Sequence, residues 1–251
     1  MRDVTFHSAA LGRDMQYRVI TPRDIAVGKK LPAVYLLHGG NGDFRDWSNS
    51  SDVARYAERG LILVMPDGDF SYYTNSAGRP ADRYEDYIVK DLISDAEGKF
   101  PIAPYRQSRA IAGISMGGFG AVTQALKHPQ LFAYAGGISA ALDVPSRRLT
   151  IRRIRQWLRY RSIFGPLGSQ TRRENDPFLL ALSADPSSTP YLFIGCGEEE
   201  SFLATNRKFA GILARRHFQY ELHVIPGAHN WTQWNEQLPA MFQSLFEHIQ
   251  P

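Results

Sequence analysis

The chain is 251 residues long, 43% hydrophobic and 22% charged, with a net charge of +4 and a single cysteine. That is enough apolar material for one large α/β domain; Cys196 alone excludes an internal disulfide and suits a reducing compartment, and no apolar run reaches the roughly 18 residues of a membrane-spanning helix. Nine arginines and no acid fall between Val144 and Arg173, which leaves the remainder at −5; so localised a charge argues against a broad nucleic-acid-binding face.

Met1 to His7 has no apolar core of the signal-peptide kind, so a cytoplasmic location is expected, although a processed exported form would begin in the same way. Val4 to Ser8 and Met15 to Thr21 read as two short strands around a Leu11-Gly12-Arg13-Asp14 turn. Leu31 to Leu37 is an almost continuous apolar run ending at His38-Gly39-Gly40. Leu61 to Met65 is another, stopped by Pro66-Asp67-Gly68; both have the pattern of strands covered on two faces. Val53 to Glu58 is expected to be helical, as is Tyr87 to Phe100, where Ile88, Leu92, Ile93 and Ala96 recur at helical spacing.

Arg109 to Ala112 is short enough for a buried strand, and Gly118 to Leu126 reads as a helix of small residues packed close to it. Phe132 to Ser139, Tyr191 to Gly195 and Tyr220 to Ile225 supply further strands, with helices over Asn206 to Arg216 and Gln237 to Ile249. This alternation implies a mostly parallel central sheet flanked by helices, in one α/β domain over residues 1–251. Only Asp143 to Asp185 breaks it. There Ile151, Ile154, Trp157 and Leu158 share one helical face and arginines occupy the rest, which predicts an arginine-rich, cap-like helical insertion over residues 143–185.

Between the Arg109 strand and the helix that follows lies Gly113-Ile114-Ser115-Met116-Gly117, a G-x-S-x-G pentapeptide. On a strand-to-helix turn such a serine is held strained and exposed, with glycines two residues away on either side to relieve crowding. A serine hydroxyl needs a histidine to take its proton and a carboxylate to orient that histidine. Candidates follow in the order nucleophile, acid, histidine: Ser115, then Glu198-Glu199-Glu200 after the Tyr191 strand, then His229 after the Tyr220 strand. All lie at carboxyl ends of expected strands, where open α/β sheets bind ligands. Glu200 is the preferred acid, with Glu199 the alternative. The N–H groups of Met116 and Gly40 are the candidate oxyanion donors.

With these residues in place, the chain resembles the esterase D family of α/β-hydrolases, which includes S-formylglutathione hydrolases, feruloyl and acetyl-xylan esterases, tributyrin esterases and mycolyltransferases. The resemblance is carried by Ser8 to Pro22 with Leu11-Gly12-Arg13, Leu36 to Gly42 with Trp47, Pro66-Asp67-Gly68, Tyr84 to Ile88, Gly113 to Gly120, Asn175-Asp176-Pro177, Cys196-Gly197 with Asn206-Arg207, and Gly227 to Trp231 with Trp234. It implies an α/β-hydrolase fold and ester or thioester cleavage through an acyl-serine, without metal or cofactor. The expected activity is that of a serine carboxylesterase on small, soluble, short-acyl esters, with neither nucleic acid nor stable membrane insertion. Feruloyl or acetyl-xylan esterase, S-formylglutathione-type thioesterase and acyltransferase are the rivals. Where similar proteins often carry an aspartate four residues after the cysteine of the Cys-Gly turn, this chain carries Glu200.

Other residues invite two readings. His38 is expected to support its turn rather than react, and Cys196 to be a buried, inert thiol. Trp231 and Trp234 either line a substrate pocket or wedge the histidine loop against the last helix. Tyr72 faces the same choice. The arginines are read first as the solvated face of a helix, and second as a surface for an anionic or carbohydrate substrate or a membrane.

Overall fold

The computed structural model describes residues 1–148 and 154–250. Its strands are β1 (Arg2–Ser8), β2 (Arg13–Ile20), β3 (Ala33–Leu37), β4 (Ile62–Pro66), β5 (Arg109–Ile114), β6 (Tyr134–Ile138), β7 (Tyr191–Gly197) and β8 (Tyr220–Ile225). They form one sheet in the order β1-β2-β4-β3-β5-β6-β7-β8. β1 and β2 are antiparallel to their neighbours, and every pairing from β4 through β8 is parallel. Every residue of β3, β4, β5 and β6 is buried, as continuous apolar runs require when helices cover both faces. β1 and β2 instead alternate buried and exposed positions, so that end of the sheet packs on one face only.

The helices are α1 (Asp46–Ser50), α2 (Tyr84–Asp86), α3 (Ile93–Lys99), α4 (Met116–Lys127), α5 (Ile154–Phe164), α6 (Gln170–Glu174), α7 (Pro177–Ser183), α8 (Leu203–Arg215) and α9 (Trp231–His248). Val53–Arg59 is a 3₁₀ helix closed by Gly60 at φ +86°. A π-helical stretch, Tyr87–Leu92, joins α2 to α3. One core packs Tyr56, Trp234, Leu238 and Phe242 beneath the sheet; the other packs Tyr73, Phe119, Phe132 and Phe209 on the opposite face. Tyr56 and Phe242 stack at 3.8 Å.

Two expectations are corrected. α9 starts at Trp231 rather than Gln237, because the Asn230 side chain accepts the Gln233 N–H at 3.1 Å and caps the earlier turn. The inward face of α5 is also different: Ile154 and Leu158 are 51% and 53% exposed, while Tyr160, Ile163 and Phe164 are buried. The aromatic residues find partners in Tyr72 and Phe119, at ring separations of 5.6 to 5.8 Å, so the face with the most ring area to bury turns inward. Ile151, Arg152 and Arg153 lie outside the described residues.

The C-terminal end of α5 is also tied down through its backbone. Ala77 N–H donates to Ile163 O at 2.8 Å, and Gly78 N–H to Ser162 O at 2.9 Å.

Candidate active site

Ser115 sits at the carboxyl end of β5 with φ +54°, in the turn that starts α4. Few non-glycine residues adopt such a backbone, and it is kept only where the surroundings enforce it. Here Ser115 N–H donates to Ile138 O at 2.9 Å, and Ser115 O accepts the N–H groups of Phe119 and Ala141. A Cβ at Gly113 would run into the Gly117 backbone, and one at Gly117 into the carbonyl of Leu37. The glycines at minus and plus two therefore allow α4 to approach the sheet, which brings Ser115 out at its carboxyl edge.

His229 lies on the loop between β8 and α9, its side chain 34% exposed. Its Nε2 is 2.9 Å from Ser115 Oγ and its Nδ1 is 2.7 Å from Glu200 Oε2. Since a carboxylate only accepts, Nδ1 carries the proton and Nε2 is left with the lone pair that faces the serine hydroxyl. Glu200 follows β7, and its side chain is fully buried. Glu198 and Glu199 point into solvent. Of the three consecutive glutamates, Glu200 is the one folded back to the histidine.

The second oxygen of Glu200 is also held. Oε1 accepts the Ser139 hydroxyl at 2.5 Å and the Gly197 N–H at 2.9 Å. Ser139 in turn accepts the Trp234 indole N–H at 3.0 Å. Ser139 is fully buried and, like Ser115, has a left-handed backbone, φ +52°. The sequence does not mark it, because a lone serine at a strand end has no spacing pattern to single it out. The result is a hydrogen-bonded series from Trp234 through Ser139, Glu200 and His229 to Ser115.

The Gly39-Gly40 loop after β3 lies beside this series. A Cβ on Gly39 would be 3.7 Å from Ser115 Cβ, and one on Gly40 would be 4.0 Å from Met116 Cβ and 3.0 Å from the Phe70 ring. Met116 is the first residue of α4, so its N–H has no partner within the helix and is backed by the positive end of the helix dipole. His38 shapes the loop: Nδ1–H donates to Gly39 O at 2.7 Å, and Nε2 accepts the Gly68 N–H at 2.8 Å. Both ring nitrogens are engaged by backbone, as expected of a supporting residue.

Aromatic residues surround the histidine. Trp234 packs edge-on against its ring at 5.0 Å, and Phe202 lies 5.1 Å from it. Trp234 is 8% exposed; Trp231, half-buried, lies against Trp47 and Trp234. Tyr72 is 5% exposed and sits beneath Phe70 and Tyr160. Arg159 of α5 lies over the Phe70 ring at 3.5 Å. Cys196 is buried, and burial, reinforced by the charge of Glu200, pushes its thiol up to about 12. Among the described residues no group of three or more His, Cys, Asp or Glu side chains is placed to hold a metal ion, and no helix is long and apolar enough to cross a membrane.

Residues 8–245 match the model of the Esterase family (Putative esterase). An acetyl esterase of Caldicellulosiruptor saccharolyticus is 25% identical over 255 residues, 96% of each chain. FphF, a fluorophosphonate-binding serine hydrolase of Staphylococcus aureus solved with substrate bound, superposes with a TM-score of 0.83 at 27% identity, covering 100% of this chain and 98% of that one. The S-formylglutathione hydrolase FrmB of the same organism superposes with a TM-score of 0.83 at 26% identity over 97% of each chain.

Proposed function

Because the chain belongs to the Esterase family and is a serine hydrolase of carboxylic esters, we propose that it cleaves small, short-acyl esters through an acyl-enzyme on Ser115. Ser115 Oγ attacks the ester carbonyl carbon while its proton passes to His229 Nε2. The negative charge that develops on the carbonyl oxygen is received by the N–H groups of Gly40 and Met116 at the start of α4. A single donor of this kind contributes about 3 kcal/mol to the barrier difference. The intermediate collapses, the C–O bond to the alcohol breaks, and the imidazolium gives the leaving oxygen its proton. Water then attacks the acyl carbon while His229 Nε2 accepts its proton, and the imidazolium returns that proton to Ser115 Oγ as the acyl C–O bond breaks, releasing the carboxylic acid and the free serine. Glu200 keeps the proton on Nδ1 in the resting state and balances the imidazolium charge in both steps.

The observation that carries this reading is the unbroken hydrogen-bonded path from Glu200 through His229 to Ser115, on three loops at carboxyl ends of parallel strands. The short-acyl preference is supported by the acetyl esterase relative. We assign α5 and the segment around it, residues 143–185, the role of a cap. Its support is Arg159, stacked on Phe70, whose ring lies against Gly40.

The test is initial rates on p-nitrophenyl acetate, butyrate and octanoate and on methyl ferulate, for the wild type and Ser115→Ala. The expected result is activity that falls with acyl length and drops by roughly four orders of magnitude in the variant, at unchanged melting temperature. Near wild-type turnover in Ser115→Ala would overturn the assignment. The likeness to an S-formylglutathione hydrolase supports a thioester as the second reading, which a higher kcat/KM on a matched acyl thioester would favour.

A further inference from the structure

A cleft of about 670 Å3 opens in the segment between β6 and β7, and none of Ser115, Glu200 and His229 lines it. Its walls include Arg148, Arg172, Arg173, Asp176, Leu167 and Leu179. Three guanidinium groups thus meet one carboxylate. That carboxylate is already committed: Asp176 caps α7 by accepting the Phe178 N–H at 2.9 Å. Among the described residues, none of the three arginines is within ion-pair distance of an acid.

Arg172 is the unusual one. It is 4% exposed, yet an arginine stays charged at any ordinary pH, and a buried charge without a counter-charge is costly. Its Nε donates to Gly165 O at 2.9 Å and its Nη1 to Pro145 O at 2.5 Å. Nη2 is itself shielded from solvent and has no acceptor among the described residues. Burial lowers its pKa, with no acid raising it back. The two backbone carbonyls fix the guanidinium plane and leave Nη2 with unmet donors, a group suited to a planar or tetrahedral oxyanion. Beside it, Leu167 and Leu179 are 47% and 44% exposed, an apolar surface adjoining the cationic one.

We propose that this cleft binds an anionic oxygen group, phosphate or carboxylate, borne on an apolar chain. Arg172 supplies the buried, pre-oriented donor edge, Arg148 and Arg173 add charge from the rim, and Leu167 and Leu179 receive the chain. This gives the arginine-rich segment a ligand of its own, separate from the ester that reacts at Ser115.

Titration calorimetry of the whole protein with inorganic phosphate and with octyl phosphate tests the assignment. Burial of two or more methylenes is expected to make octyl phosphate bind at least roughly tenfold more tightly than phosphate. Arg172→Gln is expected to weaken both by roughly tenfold or more. Because that substitution also removes the bonds to Gly165 and Pro145, the double variant Arg148→Gln/Arg173→Gln is measured beside it. It leaves those buried bonds intact and is expected to weaken both ligands comparably while circular dichroism stays wild-type. Equal affinity for the two probes would assign the cleft to a free anion and overturn the part of the proposal that concerns the chain. Absence of saturable binding at millimolar concentration, or binding indifferent to the double variant, would overturn the proposal whole.

Discussion

Ser139 Oγ donates to Glu200 Oε1 at 2.5 Å, from a buried backbone held at φ +52°. A glutamate is one methylene longer than the aspartate often found at this place in similar proteins, so its carboxylate has an extra rotor to fix. Ser139 and the Gly197 N–H fix it from one side, which leaves Oε2 directed at His229. Partners that orient the side chains of metal sites typically matter by one to two orders of magnitude in activity, and a similar effect is expected for the orienting bond from Ser139. Ser139→Gly and Ser139→Ala are therefore both expected to lower kcat/KM on p-nitrophenyl acetate by roughly 10- to 100-fold. They should differ in stability, since glycine accepts the left-handed backbone and alanine does not. If only the strain mattered, Ser139→Gly would keep wild-type kcat/KM across the pH profile, and the positioning role would be lost.

Glu200 and Glu199 are adjacent in sequence and opposite in environment, one with a fully buried side chain and the other in solvent. Glu200→Gln keeps the shape but can hold the imidazole in the wrong tautomer, so kcat is expected to fall by roughly 10⁴. Glu199→Gln should leave kcat within about twofold, because its side chain is in solvent and makes no bond to His229, and its stability within about 0.5 kcal/mol. A larger loss in Glu199→Gln than in Glu200→Gln would reverse the assignment of the acid.

How far the sequence reveals this molecule depends on which residues announce themselves. The parallel strands are legible because they are buried on both faces and so read as unbroken apolar runs. Ser115 is marked by its glycines, and chain order groups it with the glutamates and His229; the fold brings Ser115, Glu200 and His229 within hydrogen-bond reach. Three consecutive glutamates have no periodicity to say which one turns back, and only the loop geometry after β7 separates them. Ser139 and the bond it accepts from the Trp234 indole are invisible for a related reason, because they depend on contacts between the ends of β6 and β7 and α9. The orientation of α5 failed to follow from its own pattern because its partners, Tyr72 and Phe119, lie far away along the chain.

That orientation makes a prediction about stability. Phe164 is fully buried against Tyr72 and Phe119, whereas Leu158 is 53% exposed. Phe164→Ala should cost about 3 to 5 kcal/mol, and Leu158→Ala less than about 0.5 kcal/mol. Thermal or urea unfolding of the two variants gives the comparison directly. Equal destabilisation would mean that α5 packs through the other face.

Glu85 gives the protein an acid-sensitive contact far from Ser115. It is 7% exposed, bonded to His128 Nε2 at 2.8 Å and to the Lys127 ammonium. Burial alone would raise its pKa, but the hydrogen bond from His128 and the charge of Lys127 outweigh it and hold the carboxyl below its ordinary value. A depressed folded-state value means that the ionised form contributes stability above the unfolded carboxylate range. That contribution is lost as the pH falls through the folded value. Glu85→Gln removes one partner of a buried ion pair and is expected to cost about 3 kcal/mol at neutral pH. The difference in unfolding free energy between wild type and variant should shrink steadily below about pH 4, where the carboxylate of the unfolded wild type is itself protonated. A gap that stayed constant down to the acid transition would show that Glu85 stabilises the fold through shape rather than charge.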